Sequence, residues 1–111
     1  MSIAGDLIRG HTDAIILARL IQSDSYGYEI NKTISTLSTG RFELKEATLY
    51  TAFKRLEESG FITSYWGDSA AGARRRYYAI TSEGREALHR LRTEWEETKE
   101  IMDKLLLEGK K

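Results

Sequence analysis

The sequence predicts an α+β fold that is mainly helical, with three short helices, one β-hairpin and one long C-terminal helix. Apolar residues recur at helical spacing on both sides of a central region, that region contains two alternating β-branched and aromatic runs, and glycines separate the segments. The 111 residues carry 17 basic and 17 acidic side chains, so the formal net charge is zero. A chain of this length forms one domain and commonly self-associates to bury more apolar surface.

Composition excludes several classes of protein. Without cysteine the chain has no disulfide, thiolate zinc site or cysteine nucleophile, and a reducing, cytoplasmic location fits. The apolar stretch 14–21 is too short to span a bilayer, so we expect no membrane contact. His11 and His89 have no third metal ligand nearby, and no catalytic triad or phosphate-binding loop is present. We therefore expect no metal, no cofactor and no enzymatic activity.

The first predicted helix, residues 6–22, is apolar on most sides between Ala14 and Ile21, which indicates that it packs against two neighbours at once. A second, amphipathic helix follows and ends near Gly40. Its candidate N-caps are Ser23, Asp24 and Ser25, and its apolar face is formed by Tyr26, Ile30, Ile34 and Leu37.

The third predicted helix, residues 45–59, has Leu49, Phe53 and Leu56 on its inward face. Its other side is polar and basic, and we expect this side to bind DNA through Thr48, Tyr50, Thr51, Lys54 and Arg55. Short hydroxyls allow close approach to DNA, and an arginine can bind the O6 and N7 atoms of guanine. The alternative is a solvated helix face, which often has the same composition.

Residues 61–66 and 76–81 alternate as strands do and predict a β-hairpin with a long, glycine-containing tip. On the second strand, Arg74 and Arg76 share one face and Arg75 points away. Cations beside small residues suit contacts with DNA phosphates or with the minor groove, so we expect all three arginines to bind DNA. The alternative is a solvated basic turn.

From Ser82 the pattern is helical again, with Thr81 or Ser82 as N-cap. Apolar residues at heptad spacing predict a dimerisation helix over residues 82–111. The heptad positions are Leu88, Leu91, Trp95, Thr98, Met102 and Leu105. Three short helices before a hairpin are the arrangement of a winged helix-turn-helix domain, here residues 1–81. In such a domain the third helix enters the major groove and the hairpin is the wing.

Several sequence blocks resemble the PadR family of transcriptional regulators. They are YGYEI at 26–30, EATLYTAFKRLEESGFI at 46–62, SYWGD at 64–68 and GARRRYYAITSEGREAL at 72–88. The resemblance implies a homodimeric repressor that binds double-stranded DNA at a near-palindromic operator.

The single C-terminal helix is similar to that of short PadR proteins that bind several drugs. This resemblance implies that the first and last helices form the dimer interface and that a planar aromatic small molecule binds in a central pore. The implied ligand-binding residues are Leu7, Gly10, Ala14, Ala18, Trp95 and Lys99, and the expected dimer contacts are Leu88, Leu91, Trp95, Met102 and Leu105. Lys99 stands where the best-known drug binder is acidic, which argues against cationic drugs. The alternatives are a regulator with a filled interface and a winged helix that binds a protein partner.

Overall fold

The computed structural model of the chain describes residues 3–68, 72 and 74–109. Its elements are α1 Ile3–Arg9, α2 Thr12–Leu20, α3 Gly27–Leu37, α4 Glu46–Glu58, β1 Ile62–Asp68, β2 Arg74–Ile80 and α5 Ser82–Leu106. Helices, one antiparallel hairpin and a long last helix follow one another in the predicted order. Within the described ranges no helix is long and apolar enough to cross a membrane, and no group of three potential metal-binding side chains comes together.

The prediction of one first helix over 6–22 is wrong, because the chain forms two helices, α1 and α2, that are separated at Gly10 and His11. The backbone of His11 has φ −113° and ψ 22°, outside the helical region, and glycine is a poor helix former. Thr12 Oγ1 donates a hydrogen bond of 2.7 Å to the carbonyl of Arg9 and so satisfies part of the end of α1. α2 contacts α3, α4, α5 and β2, which confirms that this segment packs on several sides.

The start of α3 also differs from the prediction, because its N-cap is Tyr26 and not one of the three polar residues before it. Ser25 instead exchanges two backbone hydrogen bonds with Tyr78, of 3.1 and 2.8 Å, and forms a short bridge to the hairpin. At the other end of α3, Leu37 is 64% exposed and lies outside the core. The loop that follows supplies the buried Leu44 to the core instead.

β1 and β2 pair in antiparallel register, with Ile62 opposite Ile80 and Asp68 opposite Arg74. Both strands extend farther toward the tip than predicted, so the three arginines belong to a strand. The predicted tip falls mostly on residues 69–71 and 73, which lie outside the described residues.

One hydrophobic core joins the helices to the hairpin. Phe53 of α4 stacks on Tyr78 of β2, with ring centroids 3.9 Å apart and an interplanar angle of 19°. The buried apolar residues of this core are Ile16, Leu17, Leu20, Ile30, Ile34, Leu44, Leu49, Ala52, Phe53, Leu56, Ile62, Tyr78, Ala87 and Leu88. Because α4 and the hairpin share this stack, their exposed faces are held in a fixed relation to each other.

α5 begins at one of the two predicted caps. The Oγ1 atom of Thr81 accepts a hydrogen bond of 3.0 Å from the backbone N–H of Gly84. Leu88 is 1% exposed within the core of this chain, so the expectation that it contacts a partner subunit does not fit its burial. Beyond Leu91 the helix leaves the core, and its large apolar residues are exposed. They are Trp95, Ile101, Met102, Leu105 and Leu106.

Candidate nucleic-acid interface and adjoining cavity

The outward face of α4 carries the polar side chains that the sequence assigned to it. Burial of Leu49 and Phe53 turns the opposite side of the helix outward, so Thr51 and Lys54 are exposed. Tyr50 is also exposed along part of its ring, which makes an edge contact with Phe53 at a centroid distance of 5.5 Å. Thr48 and Arg55 complete the predicted set, with Thr48 half-buried and Arg55 exposed.

An open concavity of about 380 Å³ lies between α4 and the start of α2. It is lined by Arg9, Thr12, Ala47, Thr48, Thr51 and Arg55. Two guanidinium groups and three hydroxyls therefore border a space beside the exposed face of α4. Groups of this kind donate hydrogen bonds to phosphate oxygens in protein–DNA complexes.

Arg55 is engaged inside the chain, which the sequence did not predict. Its Nε atom donates a hydrogen bond of 3.3 Å to Asp13 Oδ2, and its Nη2 atom donates to Asp13 Oδ1. The hydrogen bond from this carboxylate raises the pKa of Arg55 above its ordinary value. The partners are 42 positions apart, so no local pattern in the sequence signals the pair.

The three arginines of β2 have different surroundings. Arg75 lies over the ring of Tyr26, with its guanidinium carbon 4.5 Å from the ring centroid, and donates a hydrogen bond of 2.7 Å to the Tyr26 hydroxyl. On the other face of the strand, Arg74 and Arg76 lie 5.4 and 5.9 Å from the ring centroid of Trp66. This placement matches the alternation expected of a strand.

The polar partners of Arg74 and Arg76 also differ. Arg76 donates a hydrogen bond of 2.8 Å to Ser64 Oγ and lies 3.5 Å from a carboxylate oxygen of Glu57. Arg74 is exposed, and its guanidinium makes no hydrogen bond or ion pair with any residue that the structure describes. Arg74 is therefore the most available of the three cations for an external partner.

A row of tyrosines supports the other face of the hairpin. Tyr26 makes an edge contact with Tyr77 at 5.3 Å, and Tyr77 stacks on Tyr65 at 5.6 Å. The Tyr65 hydroxyl donates a hydrogen bond of 2.6 Å to Asp24, which raises the pKa of Tyr65. The pairing of Tyr65 with Tyr77 across the two strands is local, but the contacts to the α3 N-terminal region connect distant parts of the chain.

A second, larger cavity of about 580 Å³ opens between α2 and α5. Four predicted ligand-binding residues line it, namely Gly10, Ala14, Ala18 and Trp95. The small side chains come from the α1–α2 junction and α2, while the Trp95 ring comes from α5 and meets the His11 ring edge-on at 5.4 Å. Leu7 and Lys99 are not among the lining residues, and Leu7 is 70% exposed.

The polar part of the cavity wall carries both signs of charge. Arg9, Asp13 and Arg55 come from α1, α2 and α4, and Arg92 and Glu94 come from α5. Arg55 borders this cavity as well as the smaller concavity beside α4. Arg9 and Thr12 also line both spaces, so two guanidinium groups and one hydroxyl are shared between them.

This combination of helices, arginine-bearing hairpin and long last helix agrees with the comparison of the sequence with known families. Residues 16–90 match the transcriptional regulator PadR-like family. The chain belongs to this family. As a PadR-like transcriptional regulator it is a DNA-binding protein and not an enzyme.

Relatives of this PadR-like regulator share nearly its whole length. An uncharacterized protein of Lysinibacillus sphaericus is 49% identical over 107 residues, which are 96% of this chain and 97% of that protein. The structure of a transcriptional regulator from Clostridium thermocellum has a TM-score of 0.84 and 47% identity, and covers 92% of this chain and 99% of its own. A PadR family transcription regulator from Clostridium difficile has a TM-score of 0.75 and 38% identity, with 86% and 98% covered.

Proposed function

We propose that this PadR-like regulator is a cytoplasmic, homodimeric transcriptional repressor that binds double-stranded DNA at an imperfect palindrome. The exposed polar face of α4, held beside an arginine-bearing strand by the stack of Phe53 on Tyr78, carries the proposal. α4 enters the major groove and contacts DNA through Thr48, Tyr50, Thr51, Lys54 and Arg55, and the hairpin approaches the flanking backbone through Arg74, Arg75 and Arg76. Residues 1–81 are then the DNA-binding domain.

The exposed apolar residues of α5 support the homodimer. Trp95 is 49% exposed although its ring meets that of His11, and Met102 is 44% exposed. Both lie at heptad positions of α5, so their exposed apolar surface suits pairing with another helix. Pairing of two copies along residues 82–111 buries these side chains, together with the exposed Leu105 and the half-buried Leu91. Two-fold symmetry then places the two α4 helices in successive major grooves, with half-sites about 10 base pairs apart.

Salt-dependent DNA binding tests the repressor proposal. Labelled duplexes from the region upstream of its own gene are titrated in fluorescence anisotropy over a series of salt concentrations. Replacing Arg74, Arg75 and Arg76 by alanine should weaken binding to all duplexes and flatten the salt slope. A control with Arg85, Arg90 and Lys104 of α5 changed to alanine removes the same charge away from the hairpin. Wild-type protein that binds no duplex at low salt would sink the proposal and favour a winged helix that binds a protein.

The cavity between α2 and α5 supports a second role, the binding of a planar aromatic small molecule that releases the DNA. Its volume of about 580 Å³ is within the range of drug-sized sites, and the half-exposed Trp95 forms part of its wall. A planar aromatic dye should quench tryptophan fluorescence in the wild type and in Trp66→Ala, but not in Trp95→Ala. Quenching that survives in Trp95→Ala, or a dimer with no quenching at all, would indicate an interface filled by the partner subunit.

A further inference from the structure

The pair formed by Asp13 and Arg55 stands between the two concave surfaces. Arg55 lies on α4, the helix that carries the proposed DNA-binding face, and Asp13 lies on α2. Both residues line the 580 Å³ cavity, and Arg55 also lines the concavity beside Thr48 and Thr51. The other cation on this face, Lys54, is exposed and makes no hydrogen bond or ion pair in the part of the chain that the structure describes.

The geometry of the pair leaves it open to competition. Two nitrogens of the Arg55 guanidinium face the two oxygens of the Asp13 carboxylate, which uses donors that a phosphate group would otherwise receive. The side chains are 51% and 39% exposed, so water and salt screen their attraction. Exposed ion pairs are weak, and a DNA phosphate can therefore displace the carboxylate.

We propose that Asp13 lowers the DNA affinity of this regulator by holding Arg55, so that the pair is a built-in competitor of the DNA backbone. The inference rests on the proposed function, in which α4 faces DNA. When Arg55 turns to a DNA phosphate, it loses its hydrogen bonds to the Asp13 carboxylate. This loss cancels part of the attraction between the guanidinium and the phosphate. The carboxylate then stays near the phosphate without its partner and repels it. Because both residues also border the larger cavity, this contact connects occupancy of that cavity to α4.

A double-mutant cycle with Asp13→Asn and Arg55→Gln tests the inference. The wild type, both single variants and the double variant are titrated with one duplex over the same salt series. Asp13→Asn should tighten binding about two- to fivefold per bound subunit, the fold-change that corresponds to an exposed ion pair. It should also steepen the salt slope by about 0.9 per subunit, the value for one additional phosphate contact.

The Arg55→Gln variant and the double variant give the sign of the coupling between Asp13 and Arg55. Arg55→Gln should weaken binding more in the Asp13→Asn background than in the wild type, because only there is the guanidinium free. The double variant should therefore lose the gain that Asp13→Asn produces. Asp13→Ser, which also removes the carboxylate, provides a second variant if Asp13→Asn does not fold.

The matched control is Glu97→Gln, which removes a carboxylate from the exposed side of α5, outside both concave surfaces. It should leave the affinity and the salt slope nearly unchanged. Equal tightening by Glu97→Gln and Asp13→Asn would overturn the inference, because net charge alone would explain it. An Asp13→Asn variant that binds DNA with unchanged or lower affinity would overturn it too. Wild-type protein that binds no duplex would instead refute the proposed function.

Discussion

The three arginines of β2 should differ in what they contribute, which single alanine substitutions can separate. Arg75 is packed over Tyr26 and bonded to its hydroxyl, whereas Arg74 is exposed beside Trp66. We predict that Arg75→Ala mainly lowers the stability of the fold and that Arg74→Ala mainly lowers DNA affinity. The reason is that the guanidinium of Arg75 already holds β2 against the start of α3.

The contacts of Arg75 set the size of the effect. A cation over an aromatic ring contributes about 0.5–1 kcal/mol at a partly exposed site, and a typical side-chain hydrogen bond adds about 1 kcal/mol. Arg75→Ala should therefore cost about 1.5–2 kcal/mol, or roughly 6–8 °C in Tm for a chain of this size. Tyr26→Phe keeps the ring and removes the hydroxyl, so it should cost about half as much.

Thermal unfolding followed by circular dichroism, at one protein concentration, measures the change in Tm. Fluorescence anisotropy over a salt series measures DNA affinity and its dependence on salt. Arg74→Ala should reduce the salt slope by about 0.9 per subunit, and Arg75→Ala should reduce it by less than half of that. Arg90→Ala on the exposed side of α5 is the control for loss of one positive charge. The reasoning is refuted if Arg75→Ala melts with the wild type and reduces the slope as much as Arg74→Ala.

Three further predictions concern the fold and the dimer. Gly84→Ala should lower Tm by more than 5 °C, since a Cβ there would lie 2.1 Å from the Phe61 carbonyl oxygen and overpacking costs about 1–3 kcal/mol; an unchanged melting curve would contradict this. A hydrogen bond to Asp24 raises the pKa of Tyr65, and burial raises the pKa of Tyr78. The folded chain therefore keeps both hydroxyls protonated to higher pH than the unfolded chain does. Stability should hold below pH about 10 and fall as pH rises further, less steeply in Tyr78→Phe. Met102→Glu should shift the protein from dimer to monomer, as measured by light scattering. A persistent dimer would exclude the apolar face of α5 as the dimer interface.

Local patterns in the sequence predicted the elements whose structure depends on near neighbours. The inward face of α4 repeats at helical spacing, the hairpin alternates, and Thr81 caps α5, all within a few residues. The prediction of an unbroken first helix was wrong because a helical pattern continues through Gly10 although the backbone turns there. The bridge between Ser25 and Tyr78 joins segments far apart in the chain, so a local polar motif suggested a helix cap instead.

On the candidate DNA-binding face, too, local patterns predicted some features and contacts between distant residues determined the others. Which residues of α4 face outward followed from its periodicity, but the partners of its cations did not. Arg55 meets Asp13 across 42 positions and Arg75 meets Tyr26 across 49 positions, and spacing alone carries no information on such contacts. The sequence therefore indicated where positive charge is available, while the structure shows how much of it is already engaged.

The internal partners of these cations bear on how strongly the protein holds random DNA. Of the cations in the proposed DNA-binding set, Arg55, Arg75 and Arg76 each have a polar partner among the described residues, whereas Lys54 and Arg74 have none there. Under the proposed function, Lys54 and Arg74 are then available for the first, non-specific encounter with DNA. Non-specific binding depends on the number of freely available cations, so such a surface should hold random DNA weakly. In the proposed operator complex, base contacts from α4 would add free energy that random DNA does not supply, and this would offset the exchange of internal partners for phosphates. Under the proposed function, internal pairing should therefore lower affinity for all DNA while preserving the difference between operator and non-operator sites.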